Sequence, residues 1–510
     1  MSTLAIAFIV YSALIIGIGL AAGRRENRTD SDYYLGGRSL GPWVAAFSAS
    51  ASSSSGWTTM GLVGMAFAGG AMAYWIIPGV LLGFMFNWIV IAPRLRDRAA
   101  ELDALTLPDL FAFHFQERVP LLRSMSVGVV LVAMFLYTAA QFAAAGKAFE
   151  VTFVSVDYKV GVMIGAAYVL AYTVFGGFRA SCWTDFAQFI VMLVTLVGVP
   201  LYLVVFLIGA PEVRQVLGGY EGADLLRILP TSSGLALIGF LLGSRALGIN
   251  LGYPGQPHVL VRFMAMRDRR NARIGLIVSI VWGVLTVGGA VSVGLIVRAL
   301  VLSGQGLGPE QAAQISADSE IALVAAARDL MPGVLAGVVL AGILSAICST
   351  VDSQLIVAAS SVTSDVYARL VPGKPNADHL WLNRTVVLAL GLGAAAMVMF
   401  DQTITVYTYV LTYGWAVLGA AFGPQLILLL TWRRASYAGC VAGMGTGFVV
   451  AIGWHELYPK VQARVEWLAD VSAYNLTVAF FAALGVNMVV SLMTPGGGAG
   501  AETPARGGAS

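Results

Sequence analysis

Two stretches of the sequence decide the fold: Phe47-Ser-Ala-Ser-Ala-Ser-Ser-Ser-Ser-Gly-Trp57 and Gly243-Ser-Arg-Ala-Leu-Gly-Ile-Asn-Leu-Gly-Tyr-Pro-Gly-Gln-Pro257. Each interrupts an otherwise apolar run with glycine, serine or proline, which are poor residues for the interior of a lipid-facing helix. Small residues also allow close packing between membrane helices, and this alternative stays open for both stretches. Because the two stretches lie five predicted spans apart, they favour a pair of broken helices at matching positions of two repeated halves.

The remainder of the chain has the composition of a membrane protein. Of its 510 residues, 58% are hydrophobic and 11% are charged, whereas soluble domains have roughly 25% charged residues. Apolar runs long enough to span a bilayer, at about 20 residues each, begin near residues 3, 41, 72, 123, 159, 186, 234, 274, 332, 383, 405, 436 and 473. Backbone polar groups in lipid must bond within their own segment, so we predict an all-α integral membrane protein of about 13 transmembrane helices.

Basic residues alternate regularly with the predicted spans. They follow the first and eleventh spans, precede the tenth, and occur between the third and fourth and between the seventh and eighth, where Arg262 is one of them. All these loops fall on one side, which the positive-inside rule makes cytoplasmic, so the N-terminus is expected outside and the C-terminus inside. We expect a single transmembrane domain over residues 1–495 and a disordered cytoplasmic tail over residues 496–510.

The interrupted spans also indicate a class of function. A broken helix exposes carbonyls and amide dipoles near the bilayer midplane, where they replace water around a cation and a polar solute. The chain has no GxxxxGK[ST] motif for ATP, and its net charge of +3 gives no basic surface for nucleic acid. Its three cysteines and four histidines are scattered without a metal-binding pattern. These features predict a secondary transporter, and neither an enzyme nor an ATP-driven pump.

Several short motifs make the chain similar to the sodium/solute symporter family, most closely to its sodium/proline branch. They are Leu35-Gly-Gly-Arg-Ser-Leu-Gly-Pro42, Ser55-Gly-Trp57, Ala104-Leu-Thr-Leu-Pro-Asp109, Phe175-Gly-Gly-Phe178, Trp183-Thr-Asp185, Gly255-Gln-Pro-His258, Arg262-Phe-Met-Ala265 and Ser349-Thr-Val-Asp-Ser-Gln-Leu355. They occur in the family's order. The resemblance implies a LeuT-like core of two inverted five-helix repeats, here about residues 41–210 and 234–432.

The resemblance also implies an activity. The family takes up small organic solutes at the expense of a sodium gradient, so we expect sodium as the co-transported ion and no organic cofactor. Proline or another amino acid is the leading candidate for the solute. The expected location is the inner cell membrane, with lipid as the surrounding partner and an assembly compatible with a monomer.

The family pattern assigns a sodium site between the second and ninth spans. Its ligands are the hydroxyls of Ser349 and Thr350 and the backbone carbonyls of Ala51, Ser54 and Ala346. Hydroxyls and carbonyls are the hard oxygen ligands that suit sodium. The alternative is that the two hydroxyls only bond back to carbonyls of their own helix.

Four further residues are expected on the coupling or ion path: Arg38, Ser53, Asp185 and Asp352. Ser53 stands where the family's proline transporters carry an aspartate, so proton coupling stays open beside sodium coupling. By the resemblance, Asp185 lies on the inner route of sodium release; alternatively it is a helix N-cap carboxylate. Arg38 matches a family arginine linked to coupling; alternatively it is an interfacial anchor.

The solute is expected beside the sodium site, among residues of the second, fourth and seventh spans: Ser55, Gly56, Trp57, Tyr137, Gln141, Tyr253 and Pro257. Tyr137 aligns with a family substrate-binding tyrosine, and Tyr253 and Pro257 align with outer-gate residues. Gln141 follows Tyr137 by one helical turn and therefore faces the same way. Ile249 replaces a family tryptophan, which changes the wall of the pocket.

Arg245 is a candidate site residue by its position alone, without the family resemblance. It lies about 12 residues into the seventh span, which predicts a position near the bilayer centre. A charge at that depth is costly unless it is paired. One interpretation is that Arg245 clamps the carboxylate of the solute, since its planar fork suits carboxylates. The other, which we favour from the sequence, is a buried structural pair with Asp352.

Other functions compete with sodium-coupled amino-acid uptake. Sodium- or proton-coupled uptake of a small carboxylate is the first alternative. A membrane-embedded solute sensor without transport is the second, because the symporter core resembles the input domains of some histidine kinases. A channel would need a ring of charged or carbonyl groups, and the sequence has no such repeated filter.

Overall fold

The computed structural model describes residues 2–23, 34–220, 224–229, 234–370, 376–465 and 473–494, and the regular structure within these ranges is entirely helical. This confirms the predicted all-α fold. The predicted tail at residues 496–510 lies outside the described residues. So do four of the basic residues used to predict orientation, Arg24, Arg25, Arg28 and Lys374.

The described α-helices of eight residues or more, in chain order, are α1 (Thr3–Gly23), α2 (Pro42–Ser52), α3 (Leu62–Gly69), α4 (Ile76–Phe86), α5 (Ala92–Glu101), α6 (Leu107–His114), α7 (Leu121–Thr152), α8 (Tyr158–Phe206), α9 (Ala210–Gly218), α10 (Gly234–Leu241), α11 (Pro257–Met264), α12 (Ala272–Ser303), α13 (Pro309–Ala317), α14 (Ala322–Leu330), α15 (Gly333–Val362), α16 (Asn376–Phe400), α17 (Ala416–Thr431), α18 (Tyr437–Gln462) and α19 (Asn475–Met493).

Shorter helical turns join several of these helices. Turns of π type cover Trp57–Gly61, Asn87–Ile91, Thr363–Tyr367 and Tyr409–Trp415; turns of 3-10 type cover Gly36–Arg38, Gly70–Trp75, Leu247–Gly255, Arg269–Asn271 and Ser319–Ile321; three-residue α turns cover Ala368–Leu370 and Val406–Thr408.

The apolar helices are those of a multi-pass membrane protein. In the described part of the chain, 10 continuous helical stretches are long and apolar enough to cross a bilayer. Two of them, Trp57–Glu101 and Tyr158–Phe206, have 45 and 49 residues, about twice the length that one span needs. Helix α8 is also kinked at Gly177, whose backbone angles (φ 63°, ψ −170°) suit only glycine. The count of about 13 spans and the orientation of the termini stay predictions.

Both predicted helix interruptions are confirmed. Helix α2 ends at Ser52 and helical bonding resumes around Trp57. Helix α10 ends at Leu241, and a turn and a 3-10 stretch separate it from α11. Gln256 is extended (φ −94°, ψ 98°), and Pro257 begins α11, where a residue without an N–H leaves no hydrogen bond unmade.

Helix α15 runs through the centre of the molecule and carries its polar groups inside. It packs against α1, α7 and α8 and touches α2 and α11. Its hydrophilic side chains from Ser345 to Gln354 are at most 1% exposed. A buried helix can keep so many polar groups only if they are hydrogen-bonded or bind a ligand. We therefore expect a binding site between α15 and the broken helices around it.

Candidate functional site

The oxygens assigned to a sodium site meet where α2 breaks beside α15. The Ser349 hydroxyl donates to the Ala51 carbonyl at 3.2 Å and to the Ala346 carbonyl at 3.3 Å. The Thr350 hydroxyl donates to the Ser54 carbonyl at 3.4 Å. The structure therefore brings all five predicted oxygens into one cluster, and both hydroxyl side chains are fully buried.

Hydrogen bonds from the Ser349 and Thr350 hydroxyls to carbonyls of their own helix, the alternative to an ion site, would explain only part of this geometry. Ser349 does bond to Ala346 on its own helix, but it also reaches Ala51 on the broken helix, and Thr350 reaches Ser54 there. These hydrogen bonds are long, above the usual range of about 2.5–3.0 Å between hydroxyl donor and oxygen acceptor. The two hydroxyls thus bridge two helices with weak bonds that a cation can replace.

Helix α12 holds the broken stretch in place from the other side. The Trp282 indole N–H donates to the Ser54 hydroxyl at 2.9 Å, and the Ser50 and Ser279 hydroxyls are 2.9 Å apart. Trp282 also stacks on Phe189 of α8, with ring centroids 4.0 Å apart. These contacts fix the Ser54 carbonyl, which otherwise belongs to a non-helical segment.

The predicted solute residues Tyr137 and Gln141 reach the same break from α7. The Gly56 amide donates to the Gln141 side-chain carbonyl at 2.7 Å. The Tyr137 hydroxyl donates to the Ser55 hydroxyl at 3.4 Å, and that hydroxyl accepts the Trp57 amide at 3.1 Å. Both α7 side chains are at most 2% exposed. Five of the residues expected to bind solute therefore meet here: Ser55, Gly56, Trp57, Tyr137 and Gln141.

Several buried donors near this break have no acceptor. Among the described residues, none accepts from Trp57 Nε1, Gln141 Nε2 or Gln354 Nε2. Gln354 belongs to this region because its carbonyl accepts the Thr138 hydroxyl of α7 at 3.2 Å. A buried donor without an acceptor costs about 1–3 kcal/mol, so these N–H groups are available to the acceptor atoms of a solute.

The predicted outer-gate residues lie on the second broken helix. The Tyr253 ring is 4% exposed and packs edge-on against Phe84 and Trp415, with centroids 4.9 and 4.7 Å away. Pro257 is buried at the start of α11. The Trp415 indole donates to the Ile249 carbonyl at 3.1 Å. The structure therefore places a tryptophan from another helix beside the position where the family's tryptophan is missing.

The predicted pair of Arg245 with Asp352 is wrong. Arg245 is exposed in the turn between α10 and the 3-10 stretch. Asp352 is fully buried in α15 and accepts hydrogen bonds from Tyr172, Ser181 and Ser353 at 3.2, 3.0 and 2.9 Å. The depth of Arg245 was counted along a continuous helix, and the break invalidates that count.

The buried arginine is Arg262, which was assigned from the sequence to a cytoplasmic loop. It is 1% exposed in α11 and pairs with Asp185 at 3.1 Å. Its guanidinium also donates to four oxygens on four helices: the hydroxyls of Ser48, Ser181 and Ser353 and the carbonyl of His258. One feature of the sequence could have identified this residue: Arg262 lies within the first two turns of the helix that Pro257 begins.

The interpretation of Asp185 as a helix N-cap is wrong. Helix α8 begins at Tyr158, so Asp185 lies well inside it, and its side chain is fully buried. It accepts hydrogen bonds from Ser48 at 2.6 Å and Ser52 at 3.2 Å, besides Arg262. Asp185 therefore links α8 to the last turns of α2, the helix that also carries Ala51.

Arg38 and Ser53 lie outside the central cluster. Arg38 donates to the Asp103 carboxylate and to the carbonyls of Ala99 and Ala104, all at 3.0–3.1 Å. It thus ties the segment before α2 to the end of α5. Ser53 is half-buried, and its hydroxyl bonds back to the Ser50 carbonyl at 2.8 Å, as serine in a helix terminus often does.

Comparison with known proteins gives close sequence relatives. A sequence model described as the sodium:solute symporter family matches residues 33–447. A sodium/proline symporter of Salmonella typhimurium is 36% identical over 480 residues, 92% of this chain and 92% of that protein. Proteins of the same name from Escherichia coli and Staphylococcus aureus are each 34% identical, over 92% and 97% of this chain and 92% and 93% of their own lengths.

Solved structures share the fold. The substrate-bound, outward-open structure of a Na⁺-coupled sialic acid symporter has a TM-score of 0.76 at 16% identity, over 97% of this chain and 98% of that one. A nucleobase-cation-symport-1 family transporter in a closed conformation has a TM-score of 0.52 at 13% identity, over 91% and 95%. At these identities the likeness concerns the fold alone, and it agrees with the predicted symporter architecture.

Proposed function

The chain belongs to the sodium:solute symporter family, and from this premise we propose that it couples inward sodium movement to uptake of a small amino acid, proline first among candidates. It is a multi-pass protein of the inner cell membrane. One observation carries the proposal. The carbonyls of Ala51 and Ser54 on a broken helix lie within hydrogen-bonding distance of the Ser349 and Thr350 hydroxyls.

Sodium would act by joining two helical elements, the end of α2 and α15. Bound among these oxygens, it would replace weak hydroxyl–carbonyl bonds with ion–oxygen contacts and fix the break of α2 against α15. The same break carries the Gly56 amide and the Trp57 indole. An ion that orders one side of this short segment therefore orders the solute-binding side as well, and this is the physical basis for coupling.

The available donors favour a solute rich in acceptor atoms. A carboxylate suits the Gly56 amide, which the Gln141 carbonyl now occupies at 2.7 Å. Gln141 would rotate to offer its unpartnered Nε2 instead. An amino acid or a small carboxylate satisfies these groups, whereas a solute with donors only would leave them unpaired at a cost of about 1–3 kcal/mol each.

The driving force is sufficient for accumulation. One sodium ion crossing about 100 mV gains roughly 2.3 kcal/mol. At about 1.4 kcal/mol per tenfold change, this supports roughly fiftyfold accumulation before any sodium gradient is added.

Proton-coupled uptake of a carboxylate is the second candidate, and one observation favours it. Asp352 is fully buried and, within the described residues, only hydroxyl groups bond to its carboxylate. Carboxyl groups inside membrane spans often belong to proton relays, so Asp352 is a candidate proton-carrying group. Ser53, in contrast, leaves the aspartate position of the proline transporters without a titratable group.

The test is uptake of labelled proline into proteoliposomes with an imposed sodium gradient, a proton gradient or neither. We expect saturable accumulation that requires sodium. The double change Ser349→Ala and Thr350→Ala is expected to reduce it at least tenfold. Ser360→Ala is the matched control, because among the described residues its hydroxyl bonds only to the Val357 carbonyl of the same helix. Undiminished sodium-driven uptake in the double variant would contradict the proposed sodium site.

Two other outcomes would select different functions. Accumulation driven by a proton gradient and insensitive to sodium would support the proton-coupled alternative. Binding of proline, seen as thermal stabilisation, without uptake under any gradient would support a sensor.

A further inference from the structure

Two neighbouring cavities meet at Arg245 on the side of Trp57 away from α2. Their volumes are about 430 and 380 Å³, within the range of roughly 300–1,000 Å³ typical of small-molecule sites. They share four lining residues, Met65, Gly69, Arg245 and Tyr407. Arg245 therefore stands between the two cavities and faces both.

The charges around these cavities are unevenly neutralised. In the lining of the smaller cavity, Asp318 and Glu320 each lie 2.7 Å from Lys147. Glu320 also accepts the amides of Val406 and Tyr407 at 3.2 and 2.7 Å. Arg245 has no ion pair with any described residue, including the two described acids that line the smaller cavity, Asp318 and Glu320.

The two walls thus present opposite charges that remain accessible. Asp318 has a side chain that is 39% exposed, and Arg245 is exposed. Glu320, in contrast, is buried and saturated by its partners. The smaller cavity is thus lined by a guanidinium without an ion pair to a described residue and by a carboxylate that is paired with Lys147 but partly exposed.

The smaller cavity leads towards the proposed solute site. Gly61 lines it and follows Trp57 by four residues, about one helical turn or 6 Å. Gly61 also lies against both Trp57 and Tyr407: a side-chain carbon there would be 3.0 Å from the Trp57 ring. Gly61 therefore places the smaller cavity directly beside Trp57 of the proposed solute site.

We propose that Arg245 and Asp318 select zwitterionic solutes at this entrance. The planar guanidinium of Arg245 attracts the carboxylate, and Asp318 attracts the ammonium or iminium group. The inference rests on the proposed function and narrows its substrate class to amino and imino acids. Monocarboxylates and simple amines each satisfy one wall and are repelled by the other, so the pair acts as a specificity determinant during capture.

The first test measures the electrostatic potential in the smaller cavity and needs no transported solute. Cysteine placed at Ala68, an exposed residue of the smaller cavity, is labelled with a negatively and a positively charged methanethiosulfonate. The three native cysteines are buried. Arg245→Gln is expected to lower the ratio of anionic to cationic labelling rates about fivefold at low salt, since an exposed charge contributes up to about 1 kcal/mol.

The controls change another charge of the protein or the salt concentration. Asp318→Asn is expected to shift the ratio in the opposite direction, and about 1 M salt should remove both effects. Arg214→Gln is the matched control, because Arg214 is exposed on α9 and lines neither cavity. A ratio unchanged by Arg245→Gln, or changed equally by Arg214→Gln, would overturn the proposal.

The second test uses proline uptake and separates the two proposals. Arg245→Gln is expected to raise the KM for proline about fivefold with kcat within twofold of wild type. Tetrahydrofuran-2-carboxylate, which lacks the amine, should compete better when Asp318 is replaced by asparagine. If the wild-type protein takes up no proline, the proposed function is wrong. The labelling ratio still tests separately whether Arg245 and Asp318 select solutes by charge.

Discussion

Replacing Arg262 by methionine is expected to destabilise the protein by about 3–5 kcal/mol, the usual cost of removing one partner of a buried ion pair. The arginine is 1% exposed and Asp185 is fully buried, so no water can take over the lost contacts. The variant leaves the Asp185 carboxylate without its counter-ion. Methionine keeps a comparable length and apolar volume, which separates the electrostatic effect from a packing defect.

Neutralising both Arg262 and Asp185 tests whether the loss of stability comes from an unpaired buried charge. If the cost comes from an unpaired buried charge, the double variant Arg262→Met with Asp185→Asn should recover at least about 2 kcal/mol of the loss, since asparagine still accepts from Ser48 and Ser52 without a charge. The measurement is equilibrium unfolding in mixed micelles, with Arg267→Met as control. Arg267 is exposed in the same segment, so its change should stay within about 0.5 kcal/mol.

Two results would refute this reasoning. A single variant as stable as wild type would mean that the Arg262 cluster contributes nothing net. A double variant no more stable than the single one would mean that the loss comes from the hydrogen bonds of Arg262 to the other helices, and that the charge of Asp185 is compensated in another way.

Three further predictions concern single residues. Gln141→Leu removes the acceptor of the Gly56 amide at 2.7 Å, and proline uptake measured in proteoliposomes should fall at least tenfold. Gly252→Ala would place a side-chain carbon in steric conflict with the Trp415 indole, so we expect poor folding by size-exclusion chromatography, partly restored by also replacing Trp415 with a smaller residue. Burial lowers the pKa of His114 to about 4, whereas the unfolded chain has a histidine pKa near 6.5. The unfolded state therefore binds the extra proton, and stability should fall as the pH decreases from about 6.5 to about 4, less so in His114→Asn, as thermal unfolding across this range will show.

The broken helices and the oxygen cluster could be predicted because they depend on local chemistry. Dense runs of glycine, serine and proline disfavour a helix through local chemistry alone, so residues 53–56 and 242–256 are recognisable without any neighbour. The pair Ser349 and Thr350 offers two hydroxyls in a helix that must otherwise face apolar surroundings. The family motifs then placed these hydroxyls opposite Ala51 and Ser54, and the structure brings the same atoms together.

The partners of the charged residues were decided only by the tertiary structure. Asp185 and Arg262 are 77 residues apart in the chain, and helical periodicity indicates which face is buried but not which helix lies against it. Arg245 was placed too deep because depth was counted along a helix that in fact ends at Leu241. Trp415 lies beside Ile249 because two distant helices approach closely at Gly252, and such an approach leaves no trace in local sequence. Composition and local pattern determine where a helix breaks and what chemistry it exposes, whereas the packing of helices determines which charge meets which.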